Sequence, residues 1–279
     1  ADLITLPELA DLRRLRIAPA TWSNPAELLG ELWRLPLANL RTLELSGNVL
    51  DDARIPALAS APFFTQIERL SLDRIPLSPT QLPRLFDHLP NLTALDLRAM
   101  RVGPQVASRI AALRVPLERL YLDGTELTVD GARAIFGSPL MRNVQRLAIG
   151  HDNIQLSVDT LAGHPHLGRL RMLGLFDVRL APPDAEAIAN GPFEFLTELN
   201  LTGNQIGAAG ARALAASEKL ASLETLYLTA NPLNESAIAG FLTRTGLPAL
   251  KKLGAFGTVA DEPWAETRAR FDDSPLKVV

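Results

Sequence analysis

Leu196-Thr197-Glu198-Leu199-Asn200-Leu201-Thr202-Gly203-Asn204-Gln205-Ile206-Gly207-Ala208-Ala209-Gly210-Ala211-Arg212-Ala213-Leu214-Ala215 changes its hydrophobic period part-way along. Leu199 and Leu201 alternate with polar residues, which is the period of a strand with one buried face. Ala211 and Leu214 then take the three-residue step of a helix. The opening pattern Leu-x-x-Leu-x-Leu recurs along the chain. It reads Leu12/Leu15/Ile17, Leu40/Leu43/Leu45, Ile67/Leu70/Leu72, Leu92/Leu95/Leu97 and Leu117/Leu120/Leu122, then Val144/Leu147/Ile149, Leu170/Leu173/Leu175, Leu196/Leu199/Leu201, Leu223/Leu226/Leu228 and Leu250/Leu253/Ala255. Successive copies start 28, 27, 25, 25, 27, 26, 26, 27 and 27 residues apart. A period this regular marks a stacked array, in which no unit buries its apolar face without a neighbour.

A short strand followed by a short helix, iterated, predicts an α/β chain wound as a right-handed βα solenoid. Neighbouring strands sit about 4.8 Å apart, whereas packed helices need about 8–10 Å between axes. The helix side must therefore be longer, and the stack bends. About ten parallel strands are expected on the concave face and helices on the convex face. The chain reads as one domain over 1–279, with an N-terminal cover at 1–11, repeats over 12–258 and a C-terminal cap at 259–279. Residues 19–35, with Trp22 and Trp33, are expected to form the first convex helix. Trp264 and Phe271 are expected to lie over the last repeat, and Leu276-Lys277-Val278-Val279 to add a final strand. The weak cover at residues 1–8 suggests a segment ahead of Ala1.

These copies resemble the leucine-rich repeat family, in the helical-convex subclass typified by ribonuclease inhibitor and by the GTPase-activating protein of Ran. The likeness covers roughly residues 9–258 and implies the horseshoe fold while saying little of function. Short Ala-rich copies, with 24 Arg against 4 Lys, associate it with bacterial versions. The family places Asn just after the strand, where its side chain satisfies turn backbone. Asn48, Asn204 and Asn231 keep it, and Asp152 and Thr125 are polar substitutes. Ile75, Met100 and Val178 are apolar in the same slot and are expected to fill core.

The chemistry of an enzyme is missing from this sequence. With 279 residues, 47% apolar and 21% charged, the chain buries a large core, and its 18 Gly and 21 Pro are too few for collagen or low complexity. It has no Cys, so disulfides, thiolate metal sites and Cys nucleophiles are excluded. A net charge of −3 gives no global basic field for nucleic acid or anionic lipid. No apolar run reaches the ~18–20 residues of a membrane span. Ala1-Asp2-Leu3 lacks the basic start of a signal peptide, so a cytoplasmic protein is expected, with secretion as an effector kept open. His164-Pro165-His166 has no third ligand nearby and reads as two solvated turn residues. His151-Asp152 lacks a nucleophile, since Ser157 and Thr160 belong to the next convex segment. Neither a cofactor nor a metal is expected.

Binding is therefore sought on the strand residues that face away from the core. The central column reads Arg16, Glu44, Ser71, Asp96, Tyr121, Ala148, Gly174, Asn200, Tyr227, Gly254. Two residues earlier stand Arg14, Thr42, Arg69, Ala94, Arg119, Arg146, Met172, Glu198, Thr225 and Lys252. Two residues later stand Ala18, Ser46, Asp73, Arg98, Asp123, Gly150, Phe176, Thr202, Thr229 and Phe256. The first half carries mixed charge and the second is aromatic and small. Aromatics are 5% of the chain, so Tyr121, Phe176, Tyr227 and Phe256 on one face point to a docking surface. The expected partner-binding residues are these four with Arg69, Arg98, Arg119, Arg146, Met172 and Asn200. The expected function is a monomeric, non-enzymatic scaffold for another protein. A small-GTPase regulator, and the substrate-reading part of a bacterial effector whose catalytic domain is absent, are the alternatives. Interleaved acids and bases argue against nucleic acid.

Overall fold

The computed structural model describes residues 9, 11–18, 25–47, 50–152, 154–157, 164, 166–242, 246–255 and 276–278. Every repeat in the sequence supplies a strand: β1 (Arg14–Ile17), β2 (Thr42–Ser46), β3 (Arg69–Asp73), β4 (Ala94–Asp96), β5 (Arg119–Asp123), β6 (Arg146–Gly150), β7 (Met172–Phe176), β8 (Glu198–Asn200), β9 (Thr225–Tyr227) and β10 (Lys252–Gly254). The short C-terminal strand expected from Leu276–Val279 is present as β11 (Lys277–Val278). All eleven form one parallel sheet in sequence order, so each strand pairs with the repeat before and the repeat after. The connections carry short helices, among them α1 (Pro25–Leu32), α2 (Ile55–Ala59), α3 (Leu82–Phe86), α4 (Gly103–Ala111) and α5 (Val129–Phe136), followed by α6 (Pro182–Asn190), α7 (Gly207–Ala215) and α8 (Glu235–Ala239). Helices of successive repeats pack on each other, α4 on α5 and α6 on α7 most closely. The fold is a right-handed βα leucine-rich-repeat solenoid, with strands on the concave side and helices on the convex side.

Local chemistry explains each element. Thr128 caps α5 by accepting the Gly131 N–H at 3.1 Å, and Asn234 caps α8 by accepting the Ala237 N–H at 3.0 Å. Pro at the first or second helical position starts α2, α3, α4 and α6. The repeat leucines from both sides fill the space between: Leu43, Leu70, Leu95, Leu120, Leu147, Leu173, Leu199, Leu226 and Leu253 are each at most 1% exposed. Trp33 is buried as well, whereas Trp22, Trp264, Phe271, Asn48 and nearly all of both predicted covers lie outside the described residues.

Turns after the strands are held together across repeats. Asn204 Oδ1 accepts the backbone N–H groups of Val178 and Leu180 in the preceding repeat. Its amide donates to the Leu175 and Leu201 carbonyls at 2.8 and 2.9 Å. Asn231 repeats the scheme on Ile206, Leu201 and Leu228. The apolar substitutes fill core as expected, with Ile75, Met100 and Val178 each at most 2% exposed. Met100 also keeps part of the polar role, since its sulfur accepts the Ile75 N–H at 3.3 Å. Thr125 donates to the Leu122 carbonyl at 2.7 Å. Asp152 does half of what Asn does: Oδ1 accepts the Glu126 N–H at 2.7 Å, while Oδ2 is buried without a hydrogen-bond partner.

Directly after the sheet-face residues the chain turns through the left-handed region in eight successive repeats. Gly47, Gly124 and Gly203 do so, and so do Arg74, Ala99, His151, Asp177 and Ala230, at φ between 49° and 75°. A different constraint acts at Gly150. A Cβ there would collide with the Phe176 carbonyl oxygen on β7, so the two strands approach too closely for any side chain.

Two outcomes follow from this packing. Burial pushes the Asp152 carboxyl up from 3.8 to about 6, against the pull of the backbone N–H groups around Glu126. Because the folded-state value is raised, the protonated form contributes stability that is complete below about pH 3.8 and lost as pH rises through 6. Asp152→Asn, which supplies the missing donor, should match the wild type near pH 4 in urea unfolding. At pH 7.5 it should exceed it by about 1 kcal/mol, allowing for the group's partial exposure. Gly150→Ala should cost about 2–3 kcal/mol in the same assay. Gly174→Ala should cost less, because its Cβ would collide only with the Phe176 ring, which can swing aside, and would meet Ala148 at an ordinary 3.5 Å.

Candidate binding surface

The register reproduces two of the predicted columns from β1 to β10 and part of the third. Arg14, Thr42, Arg69, Ala94, Arg119, Arg146, Met172, Glu198, Thr225 and Lys252 are successive Cα partners from β1 to β10. So are Arg16, Glu44, Ser71, Asp96, Tyr121, Ala148, Gly174, Asn200, Tyr227 and Gly254. Asp123, Gly150 and Phe176 align in the third. With the leucines between them buried, these columns make up the open face of the sheet.

Of the ten predicted site residues, nine are described, and Phe256 lies outside the described residues. Tyr121 is half-buried under Arg98, whose guanidinium carbon stands 5.8 Å from the ring centroid. Arg98 also grips Asp96 through two hydrogen bonds of 2.9 and 2.7 Å, and this carboxylate holds its pKa raised. Phe176 lies flat along the sheet over Gly174 and stacks on His151, with centroids 5.8 Å apart and planes 5° apart. Tyr227 leans over Gly254 beneath the Lys252 ammonium, 5.1 Å from its centroid. Each ring thus covers a neighbour that lacks a side chain or lies under a cation, and keeps part of its surface open. The three stand on β5, β7 and β9, two strands apart each time, which is about 10 Å. They are separate stations along the arc, not one cluster.

The polar residues are less alike than the sequence implies. Arg146 reaches over Met172 on β7 to pair with Glu198 on β8 at 3.2 Å, so both lie in a closed contact. Asn200 Oδ1 accepts the Thr202 N–H at 3.1 Å. Arg69 is exposed and Arg119 half-buried, and among the described residues the side chain of neither has a hydrogen-bond or ion-pair partner. Above β1 to β5 the face sinks into a groove of about 630 Å³ walled by Arg16, Asp73, Asp96, Arg98, Asp123 and His151. Burial lifts the Asp123 carboxyl above the ordinary carboxylate range, opposed by its own backbone N–H and by Arg98. Next to it is a hollow of about 260 Å³ between Arg69 and Arg119. His151, Asp73, Asp96 and Asp123 are absent from the predicted site; the third column already held Asp73 and Asp123, and their alternation with arginine was the signal.

The histidine pairs do not converge. His164 stacks on Phe136 at 6.5 Å, and His166 accepts from the Arg142 guanidinium at 3.4 Å. Among the described residues no group of three His, Cys, Asp or Glu is placed to hold a metal ion, and no helix is long and apolar enough to cross a membrane.

Comparison with known proteins agrees with the fold. A family model described as leucine-rich repeat matches residues 37–53 and 194–215, two of the repeats. No curated protein sequence matches the chain. Among solved structures, the Rad7–Elc1 complex of yeast superposes with a TM-score of 0.61 at 14% identity, covering 87% of this chain and 68% of that one. An internalin of Listeria monocytogenes superposes with a TM-score of 0.51 at 16% identity, covering 97% of this chain and 87% of that one. Repeat spacing, sheet register and these likenesses agree: the chain folds as a leucine-rich-repeat protein.

Proposed function

We propose that the chain is a non-enzymatic scaffold that binds another protein along the open face of its sheet. The observation that carries this reading is the ladder itself, which holds Tyr121, Phe176 and Tyr227 in register on a face that no element of the chain covers among the described residues. Half-buried rings set in a shallow floor of Ala148 and Gly174 lose little side-chain entropy on binding, the property that makes aromatics effective anchors. In this reading the chain works as a monomer, with no cofactor and no nucleic acid, and belongs to the ribonuclease-inhibitor-like subclass of bacterial repeats. The similar yeast chain was solved in the Rad7–Elc1 complex, which supports protein partnering as a use of such an arc.

Phe176→Ala and Tyr227→Ala should each weaken binding to the isolated partner by roughly 2–4 kcal/mol in calorimetric titration. Thermal unfolding should change little, because both rings are partly exposed and leave no buried cavity. Unchanged affinity in both variants would contradict the placement.

A further inference from the structure

Strands β3 and β5 carry one motif twice, Arg69-Leu70-Ser71-Leu72-Asp73 and Arg119-Leu120-Tyr121-Leu122-Asp123. Strand alternation sends the first, third and fifth residues to the open face. Each strand therefore starts with a guanidinium and ends with a carboxylate, about 13 Å apart at 3.3 Å per residue. Between them β4 offers Ala94 and Asp96, and Arg98 follows in the turn after it. At the strand ends the charges are answered: Asp73 pairs with Arg74 at 3.0 Å, and Asp96 with Arg98. Further along the first column Arg14 pairs with Glu44 at 2.6 Å.

Arg69 and Arg119 are different. They flank Ala94 in register, two strand spacings apart, or about 10 Å between Cα atoms. Ala94 puts only a methyl between them, and the hollow of about 260 Å³ there is also lined by Thr42, Ser71 and Tyr121 and by Glu44 and Asp96, whose carboxylates are already paired with Arg14 and Arg98. Two cations that line one hollow over a small residue, beside hydroxyl groups and without an ion-pair partner among the described residues, fit the two oxygens of a carboxylate.

We propose that this notch is a carboxylate subsite, which takes an Asp or Glu side chain of the protein partner; it rests on the scaffold reading above. The occupant is a polypeptide because the notch opens into the larger groove, with which it shares Arg14, Glu44, Ser71 and Asp96. At the far wall of that groove Asp73 is paired with Arg74, whereas Asp123 has no ion-pair partner among the described residues. A free anion gains nothing from Asp123, whereas a chain with an acid in the notch and a basic residue about 13 Å away matches Arg119 and Asp123 at the two ends of β5.

The test uses the whole chain and three probes, a hexaglutamate peptide, a hexalysine peptide and inorganic phosphate, titrated calorimetrically at low and high salt. Hexaglutamate should bind with an affinity that falls with salt, and R69Q/R119Q should weaken it about tenfold or more. Ala94→Glu, which puts a carboxylate into the notch from within, should abolish that binding and raise the midpoint of thermal unfolding, and the rise should vanish in the R69Q/R119Q background. Equal hexaglutamate binding by wild type and R69Q/R119Q overturns the proposal, as does binding of phosphate or hexalysine in preference to hexaglutamate. The double variant changes exposed or half-exposed side chains and decides the matter even if Ala94→Glu fails to fold. A chain that ignores hexaglutamate yet loses its partner on Phe176→Ala keeps the scaffold reading and loses only this subsite. Hexaglutamate binding with no effect of Phe176→Ala gives the converse.

Discussion

The inward leucines of each strand can be covered only by the leucines of the strands on either side and by the helix that follows. Strand spacing is set by backbone hydrogen bonds, so that cover forces every repeat into the register of the last. The result is the unbroken row of buried leucines from Leu43 to Leu253, and with it three parallel columns facing the other way. The helices, thicker than strands, take the outer side and oblige the sheet to bend. The chain folds locally and stacks locally, and the open face is what stacking cannot cover.

The turns show how much variation this arrangement tolerates. Asn204 and Asn231 bind both their own repeat and the one before, acting as stitches between units. Met100 keeps one of those contacts through sulfur, Thr125 keeps another through its hydroxyl, and Asp152 keeps the acceptor while leaving an oxygen unanswered. Each substitution changes only the contacts of its own repeat and the one beside it, as expected when stability is a sum of units and nearest-neighbour interfaces.

The position of nearly every sheet-face residue was legible in the sequence, because a side-chain period of two with one buried face leaves a single register. The left-handed turn was not, since Arg74, Ala99, His151, Asp177 and Ala230 occupy it without the glycine that normally signals such a backbone. Pairing was not legible either. Arg146 meets Glu198, 52 residues away, by crossing an intervening strand, and nothing local distinguishes it from Arg69 or Arg119, which pair with no acid among the described residues. Nor does the sequence show that Phe176 and Tyr227 lie down over Gly174 and Gly254, which turns apparent gaps into seats for rings. Column membership follows from periodicity, whereas partner choice follows from side-chain reach across strands.

The most direct test is site-specific photo-crosslinking along the two sides of the arc. A photoreactive residue at Ser71, Asn200 or Thr225, on the sheet face, should join the chain to one protein partner of constant mass. The same group at exposed Glu186 or Arg212, on the helices, should yield none of that product. Equal capture from both sides, or capture from the helices alone, would contradict a scaffold that works through its strands.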